Sequence, residues 1–242
     1  MDDIAGKSAV VTGATRGIGL AIARALLERG GRVFVCARSS SEVEQTVASL
    51  GAAYEDRVHG VACDVSDYES VRSLFSAVRE TFGTLDILIN NAGIGSRNNV
   101  EHMSVEEWNA TIGTNLSGVF HCCREALPLI KASGGGYIIN IGSLAGKHAS
   151  AGSAAYCASK FALVGFSEAL MQEVRFDHVR VSHIMPGSVN TGFGRGGGQD
   201  PSKTWKLLPE DVAATVVHLL EMDARALPSQ IELRPSEPKK EP

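Results

Sequence analysis

Thr12-Gly13-Ala14-Thr15-Arg16-Gly17-Ile18-Gly19 follows the apolar run Ser8-Ala9-Val10-Val11 and opens an apolar-periodic stretch from Leu20 to Leu27. The order reads strand, tight glycine turn, helix. Glycines at 13, 17 and 19 let the backbone approach a pyrophosphate closely, and the helix start supplies free N–H groups and a positive dipole end. The spacing is Gly-x-x-x-Gly-x-Gly rather than Gly-x-Gly-x-x-Gly, so in isolation it also fits a strand–helix turn with no ligand. Its place at the head of an alternating pattern favours a dinucleotide site.

Outward from that turn, short apolar runs fall at 8–12, 32–36, 57–62, 85–90, 136–142, 179–185 and 230–233. Longer amphipathic stretches fall between them at 17–29, 41–50, 67–82, 104–132, 153–176 and 209–222. Such alternation predicts an α/β fold: a Rossmann-like, doubly wound, seven-stranded parallel sheet with helices on both faces. The strands are nearly all apolar, as a sheet covered on both sides requires. Without a linker, composition break or repeat, residues 1–233 read as one nucleotide-binding domain. A substrate loop is expected at about 192–208, rich in glycine (192, 194, 196, 197, 198), where a plain connection is the competing reading. The charged, proline-containing tail 234–242 is expected to be disordered.

Bulk properties narrow the function. The 242 residues carry a net charge of −4 with scattered basic groups, which argues against nucleic acid or an anionic membrane surface as partner. No apolar run approaches the roughly 20 residues of a membrane helix. Cys36, Cys63, Cys122, Cys123 and Cys157 have no metal-ligand spacing, and the seven histidines are dispersed, so no metal site is expected. The unpaired cysteine count and the start Met1-Asp2-Asp3, which is no secretory signal, suggest the cytoplasm. Cys122, Cys123 and Cys157 read as core, and Glu106-Glu107-Trp108 as the start of a surface helix. His148 reads equally as pocket lining or as a plain loop residue.

In open α/β sheets ligands bind beyond the carboxyl ends of the strands. Those ends here are Cys36-Ala37-Arg38-Ser39, Cys63-Asp64-Val65, Asn90-Asn91-Ala92-Gly93, Gly142-Ser143 and Pro186-Gly187-Ser188-Val189-Asn190-Thr191, small or polar throughout, as one continuous groove would need. An acid about twenty residues past the glycine turn would bind a ribose 2′-hydroxyl and favour NAD. That place holds Ala37 and Arg38. A guanidinium suits a 2′-phosphate, and Arg16 could flank the same group; two solvated arginines are the competing reading. Tyr156 and Lys160 stand at i and i+4, on one helix face, with Ser143 at the preceding strand's end. A free tyrosine, with a pKa of about 10, is a poor base near neutrality, and a nearby ammonium lowers that value. Tyr156 could then exchange a proton with a carbonyl or alcohol oxygen that Ser143 orients.

With these residues in hand, the chain resembles the short-chain dehydrogenase/reductase family over roughly residues 6–192. The resemblance rests on Thr12 to Gly19, Asn90-Asn91-Ala92-Gly93, Asn115, Ser143, Tyr156-Cys157-Ala158-Ser159-Lys160 and Pro186-Gly187. It implies NADP(H)-dependent hydride transfer between a carbonyl and an alcohol. Tyr156 is implied as general acid/base, and Lys160 as holder of the nicotinamide ribose and depressor of the Tyr156 pKa. Ser143 would position the substrate oxygen, and Asn115 would hold a relay water. The implied cofactor contacts are Gly13, Thr15, Arg16, Gly17, Ile18, Gly19, Arg38, Ser39, Asp64, Val65, Asn90, Ala92, Gly93, Tyr156, Lys160, Pro186, Gly187, Val189 and Thr191. A homo-oligomer, dimer or tetramer, is implied through the helices near 104–132 and 153–176. The segment Leu227 to Pro235 departs from the ending of many ketoacyl reductases. The leading expectation is therefore a reductase of small ketones or aldehydes, ahead of a 3-oxoacyl thioester reductase. A non-catalytic NADP-binding sensor ranks last, because Tyr156 and Lys160 are both present.

Overall fold

The computed structural model of the chain describes residues 3–193 and 199–238. Its seven strands are β1 (Ser8–Thr12), β2 (Arg32–Ala37), β3 (Val58–Ala62), β4 (Ile87–Asn90), β5 (Gly136–Ile141), β6 (Val179–Pro186) and β7 (Gln230–Leu233). The seven α-helices are α1 (Gly17–Glu28), α2 (Ser40–Tyr54), α3 (Tyr68–Phe82), α4 (Val105–Ile112), α5 (Gly118–Ala132), α6 (Ala154–Val174) and α7 (Pro209–Glu221). The strands form one sheet in the order β3-β2-β1-β4-β5-β6-β7, and every pair is parallel. The order reverses between β1 and β4, which opens the crevice in which doubly wound folds bind ligands.

Strand alternation builds the two layers. Ala9, Val11, Val33, Val35, Ile87, Ile89 and Ile139 face a core completed by Ile22, Leu26 and Leu27 of α1, Val43 and Leu50 of α2 and Val212 and Val216 of α7. Val10, Phe34, Leu88, Ile138 and Val181 face the other, built from Val71, Leu74 and Phe75 of α3, Val119 and Ala126 of α5 and Leu163 and Leu170 of α6. Burial of these strands on both faces explains why they read as unbroken apolar runs.

The long helix expected at 104–132 is two helices joined by a π-helical segment, Gly113–Ser117. The amide of Gly118 reaches back to the Gly113 carbonyl, so the turn holds one residue more than an α-turn, as is frequent at functional sites. Of the expected tail, Arg234 donates to Glu232 and contacts His148, and Pro235 lies beside Gly187. Residues 239–242 and the loop glycines 194, 196, 197 and 198 lie outside the described residues.

The glycine turn is tight against its own backbone. Gly13 has φ +63. A Cβ on Gly19 would lie 2.3 Å from the Gly13 carbonyl oxygen and 2.5 Å from Asn91 Nδ2. Gly19→Ala is expected to destabilise the chain by about 3 kcal/mol, as overpacking against backbone does, and to abolish dinucleotide binding. Chemical denaturation and a fluorescence titration check both effects.

Candidate active site

The β1 and β4 ends are joined by side chains. Thr12 Oγ1 accepts from the Asn91 and Ala92 amides, each at 3.0 Å. Asn91 Nδ2 donates to the Thr12 and Gly13 carbonyls at 2.8 and 3.0 Å. Asn91 thus holds the glycine turn in place, a role the sequence reading left unassigned. Among the described residues no side chain caps α1, so its first amides stay available to an anion. Arg16 and Arg38 are exposed and, among the described residues, neither is paired. Ser39 caps α2, accepting from the Glu42 amide at 3.3 Å.

At the β3 end, Asp64 accepts from the Ser66 amide and hydroxyl. Val65 is buried against Gly118, and His121 contacts its carbonyl at 3.0 Å. Ala92 and Gly93 are half-buried. The Asn90 side chain turns away from the crevice: it shares a strand face with Leu88 and enters the α5–α6 layer. There Nδ2 donates to Asn140 Oδ1 at 2.9 Å and to Cys123 Sγ. Asn140 in turn donates to Ser167 Oγ at 2.9 Å, which donates to the Leu163 carbonyl. This polar chain runs from β4 through β5 to α6 and fixes α6 on the sheet; Asn140 and Ser167 were not foreseen.

Helix α6 carries the central group. Lys160, Leu163, Ser167, Leu170 and Val174 form its buried stripe, so Lys160 is drawn inside with the apolar residues. Its Nζ donates to the Ile141 carbonyl at 3.1 Å and lies 5.8 Å from the centre of the Tyr156 ring. Burial lowers its pKa from 10.5 to about 8. The Tyr156 pKa is raised, against expectation. Burial is the main cause, and a hydrogen bond with Ser143 acts in the opposite sense. Desolvation of the phenolate outweighs that hydrogen bond. Ser143 Oγ accepts from the Ala145 amide at 3.1 Å, which leaves the hydroxyl proton free to donate.

Asn115 sits in the π-helical segment, fully buried. Its Oδ1 accepts from the Ile94 amide at 2.8 Å. Its Nδ2 donates to the Ile94 carbonyl and to Ser159 Oγ, which donates to the Tyr156 carbonyl. Both amide hydrogens of Asn115 are thus engaged, while its Oδ1 accepts one bond of the two it can take. Beneath the site, His183 is buried, and among the described residues neither ring nitrogen has a partner. Burial first, and Lys160 second, lower its pKa to about 4, so it is neutral at physiological pH.

The remaining wall comes from the segment after β6. Pro186 is buried, and the Gly187 amide is bonded to the Leu233 carbonyl at 2.8 Å. Val189 pairs with Leu207, and the Thr191 methyl lies beside Gly17. Phe193 stands 6.1 Å from the Tyr156 ring, centre to centre, and touches Gly95. Glu107, expected to be plain surface, accepts from Ser96 Oγ at 2.7 Å and Asn98 Nδ2 at 3.3 Å, tying the loop after β4 to α4. Cys122, Cys123 and Cys157 are buried, as expected of core. His148 is exposed. Among the described residues no helix is long and apolar enough to cross a membrane.

The family described as short chain dehydrogenase matches residues 7–201. The chain belongs to that family. It is an oxidoreductase similar to the 3-oxoacyl-(acyl-carrier-protein) reductase of Haemophilus influenzae, 40% identical over 186 residues, 77% of this chain and 75% of that protein. It is 39% identical to the D-threitol dehydrogenase of Mycolicibacterium smegmatis over 92% of this chain and 88% of that one. Among solved structures, an alcohol dehydrogenase of Thermococcus sibiricus complexed with 5-hydroxy-NADP superposes with a TM-score of 0.90. It is 32% identical, over 97% of this chain and 99% of that chain. The L-sorbose reductase of Gluconobacter frateurii, complexed with NADPH and L-sorbose, gives 0.88 at 30% identity, over 97% and 98%. The fold of this dehydrogenase is the one foreseen from its strand–helix alternation.

Keeping Lys160 inside disfavours its charged form by about 3 kcal/mol, taken from the drop to about 8. That cost is fully present below pH 8. It is relieved between about 8 and 10.5, where the unfolded chain holds a proton that the folded one has lost. Lys160→Met is therefore expected to stabilise the fold at neutral pH by about 1–2 kcal/mol, since the Ile141 carbonyl loses its donor. The gain should shrink as the pH rises from 8 to 10.5. Urea titrations of both proteins across that range check the sign.

Proposed function

We propose that this dehydrogenase reduces a small ketone or aldehyde with NADPH and runs the reverse reaction with the alcohol. The carrying observation is the grouping of Ser143, Tyr156 and buried Lys160 beside the crevice between β1 and β4. The residues fit a phosphorylated dinucleotide: a glycine turn whose Gly19 leaves no room for a Cβ and, among the described residues, an α1 start that no side chain caps and guanidiniums at Arg16 and Arg38 that are not paired. Gly13, Thr15, Gly17 and Ile18 would hold the pyrophosphate; Arg16, Arg38 and Ser39 the 2′-phosphate; Asp64 and Val65 the adenine. Asn90, through its backbone, and Ala92 and Gly93 would form the central wall. Lys160 and Tyr156 would hold the nicotinamide ribose, and Pro186, Gly187, Val189 and Thr191 the nicotinamide.

When bound, NADPH supplies a hydride to the carbonyl carbon. Tyr156 delivers its phenolic proton to the carbonyl oxygen, and Ser143 donates a hydrogen bond that holds that oxygen. The raised Tyr156 pKa keeps the phenol protonated, the state that reduction needs. Lys160 returns a proton to Tyr156 and is itself resupplied from solvent through a water held at Asn115.

A polyol or sugar carbonyl falls within this reading. A 3-oxoacyl thioester is the second reading, favoured by the 40% identity to a carrier-protein reductase. One domain over residues 1–233, with its substrate loop at about 192–208, a homodimer or homotetramer, and a cytoplasmic location complete the proposal.

The test is NADPH consumption with a panel of ketones, aldehydes, ketoses and 3-oxoacyl thioesters. Tyr156→Phe is expected to lower turnover by roughly 10²–10⁴ while NADPH still quenches protein fluorescence; retained turnover refutes the acid/base role. Arg38→Asp is expected to weaken NADPH roughly tenfold or more and NADH little. Equal loss of both means that Arg38 does not read the phosphate.

A further inference from the structure

Ser39-x-x-Glu42 has the spacing of a capping box, in which the acid reaches back to the cap amide. Only half of that box forms. Ser39 Oγ accepts from the Glu42 amide, but the Glu42 carboxylate leaves its own helix and accepts from the Thr15 hydroxyl at 3.2 Å. It thereby stands against the glycine turn, on the floor between α1 and α2. A cleft of about 270 Å³ lies there, lined among others by Thr15, Arg16, Arg24, Glu42, Gln45 and Ser49. Two guanidiniums share the cleft with this carboxylate, yet among the described residues neither is paired with it.

We infer that Glu42 is a cofactor-specificity residue, which weakens the preference for a 2′-phosphate that Arg16 and Arg38 establish. The inference rests on the reading that those arginines face the cofactor's 2′ end. A 2′-phosphate held by Arg16 brings a charge of about −1.5 to −2 beside a cleft that Arg16 shares with the Glu42 carboxylate, and like charges at that range oppose binding. A 2′-hydroxyl is a donor, and a carboxylate accepts from it. Both effects narrow the gap between the two dinucleotides. Cationic residues and an acid are thus set against one another, so this dehydrogenase takes NADPH first and still binds NADH.

Glu42→Gln keeps the size and the tie to Thr15 and removes the charge. Protein fluorescence titrated with NADPH and with NADH, and competition by 2′,5′-ADP against 5′-ADP, read the effect without turnover. NADPH and 2′,5′-ADP are expected to bind roughly two- to fivefold more tightly, the range of exposed charge pairs. NADH and 5′-ADP should hold or weaken, and the difference from wild type should shrink at high salt. Glu44→Gln removes the same charge from the same helix outside the cleft, and should leave the ratio of the two affinities unchanged. An unchanged ratio in Glu42→Gln, an equal change for both dinucleotides, or an equal shift in Glu44→Gln would overturn the assignment. Wild-type protein that binds neither dinucleotide would instead refute the proposed function itself.

Discussion

The structure hangs on the junction between the glycine turn and the end of β4. At that point the strand order reverses and β1 and β4 stop pairing after Val11 and Ile89, so the backbone groups that follow need partners other than the ladder between them. Such groups must find a partner or carry a penalty. The Thr12 hydroxyl takes the Asn91 and Ala92 amides, and the Asn91 side chain takes the Thr12 and Gly13 carbonyls. The crevice is thereby closed from below by side chains and left open above. Gly13 and Gly19 are small first because this junction is close-packed, and only then because a phosphate approaches.

A second constraint is the charged group drawn into the interior. Lys160 occupies a core position of α6, and its lowered pKa measures how poorly that place solvates it. The fold tolerates it because α6 is fixed by the Asn90–Asn140–Ser167 chain and because the Ile141 carbonyl accepts a hydrogen bond from its Nζ. Stability is given up to place an amine beside a phenol, an exchange common at active sites. The buried, neutral His183 belongs to the same region and leaves Lys160 as its cationic centre.

Much of this was legible in the sequence, for identifiable reasons. Strands buried on both faces are short apolar runs, and the foreseen limits lie within a residue or two of those observed, as at 8–12 and 230–233. Strand alternation held a further clue: Leu88 and Asn90 share a face, as do Ile138 and Asn140, which already points both asparagines at α6 and Asn91 at the glycine turn. The π-helical segment has no such signature, since one extra residue in a turn leaves composition and apolar spacing nearly unchanged. The rise in the Tyr156 pKa was hidden because it depends on depth of burial. The path of Glu42 to Thr15 was hidden because a capping box predicts the other partner.

Asn190 and Asp200 exchange two hydrogen bonds, the Asn190 amide to the Asp200 carbonyl and the Asp200 amide to Asn190 Oδ1, each at 2.9 Å. With the Val189–Leu207 pairing, they fasten both ends of the intervening segment to the sheet independently of what lies between. The closure entropy of such a loop grows only slowly with its length. Changes of length between these two ties are therefore nearly neutral for folding. In evolutionary terms the two ties bound a cassette whose length can drift while the fold that receives it stays as it is.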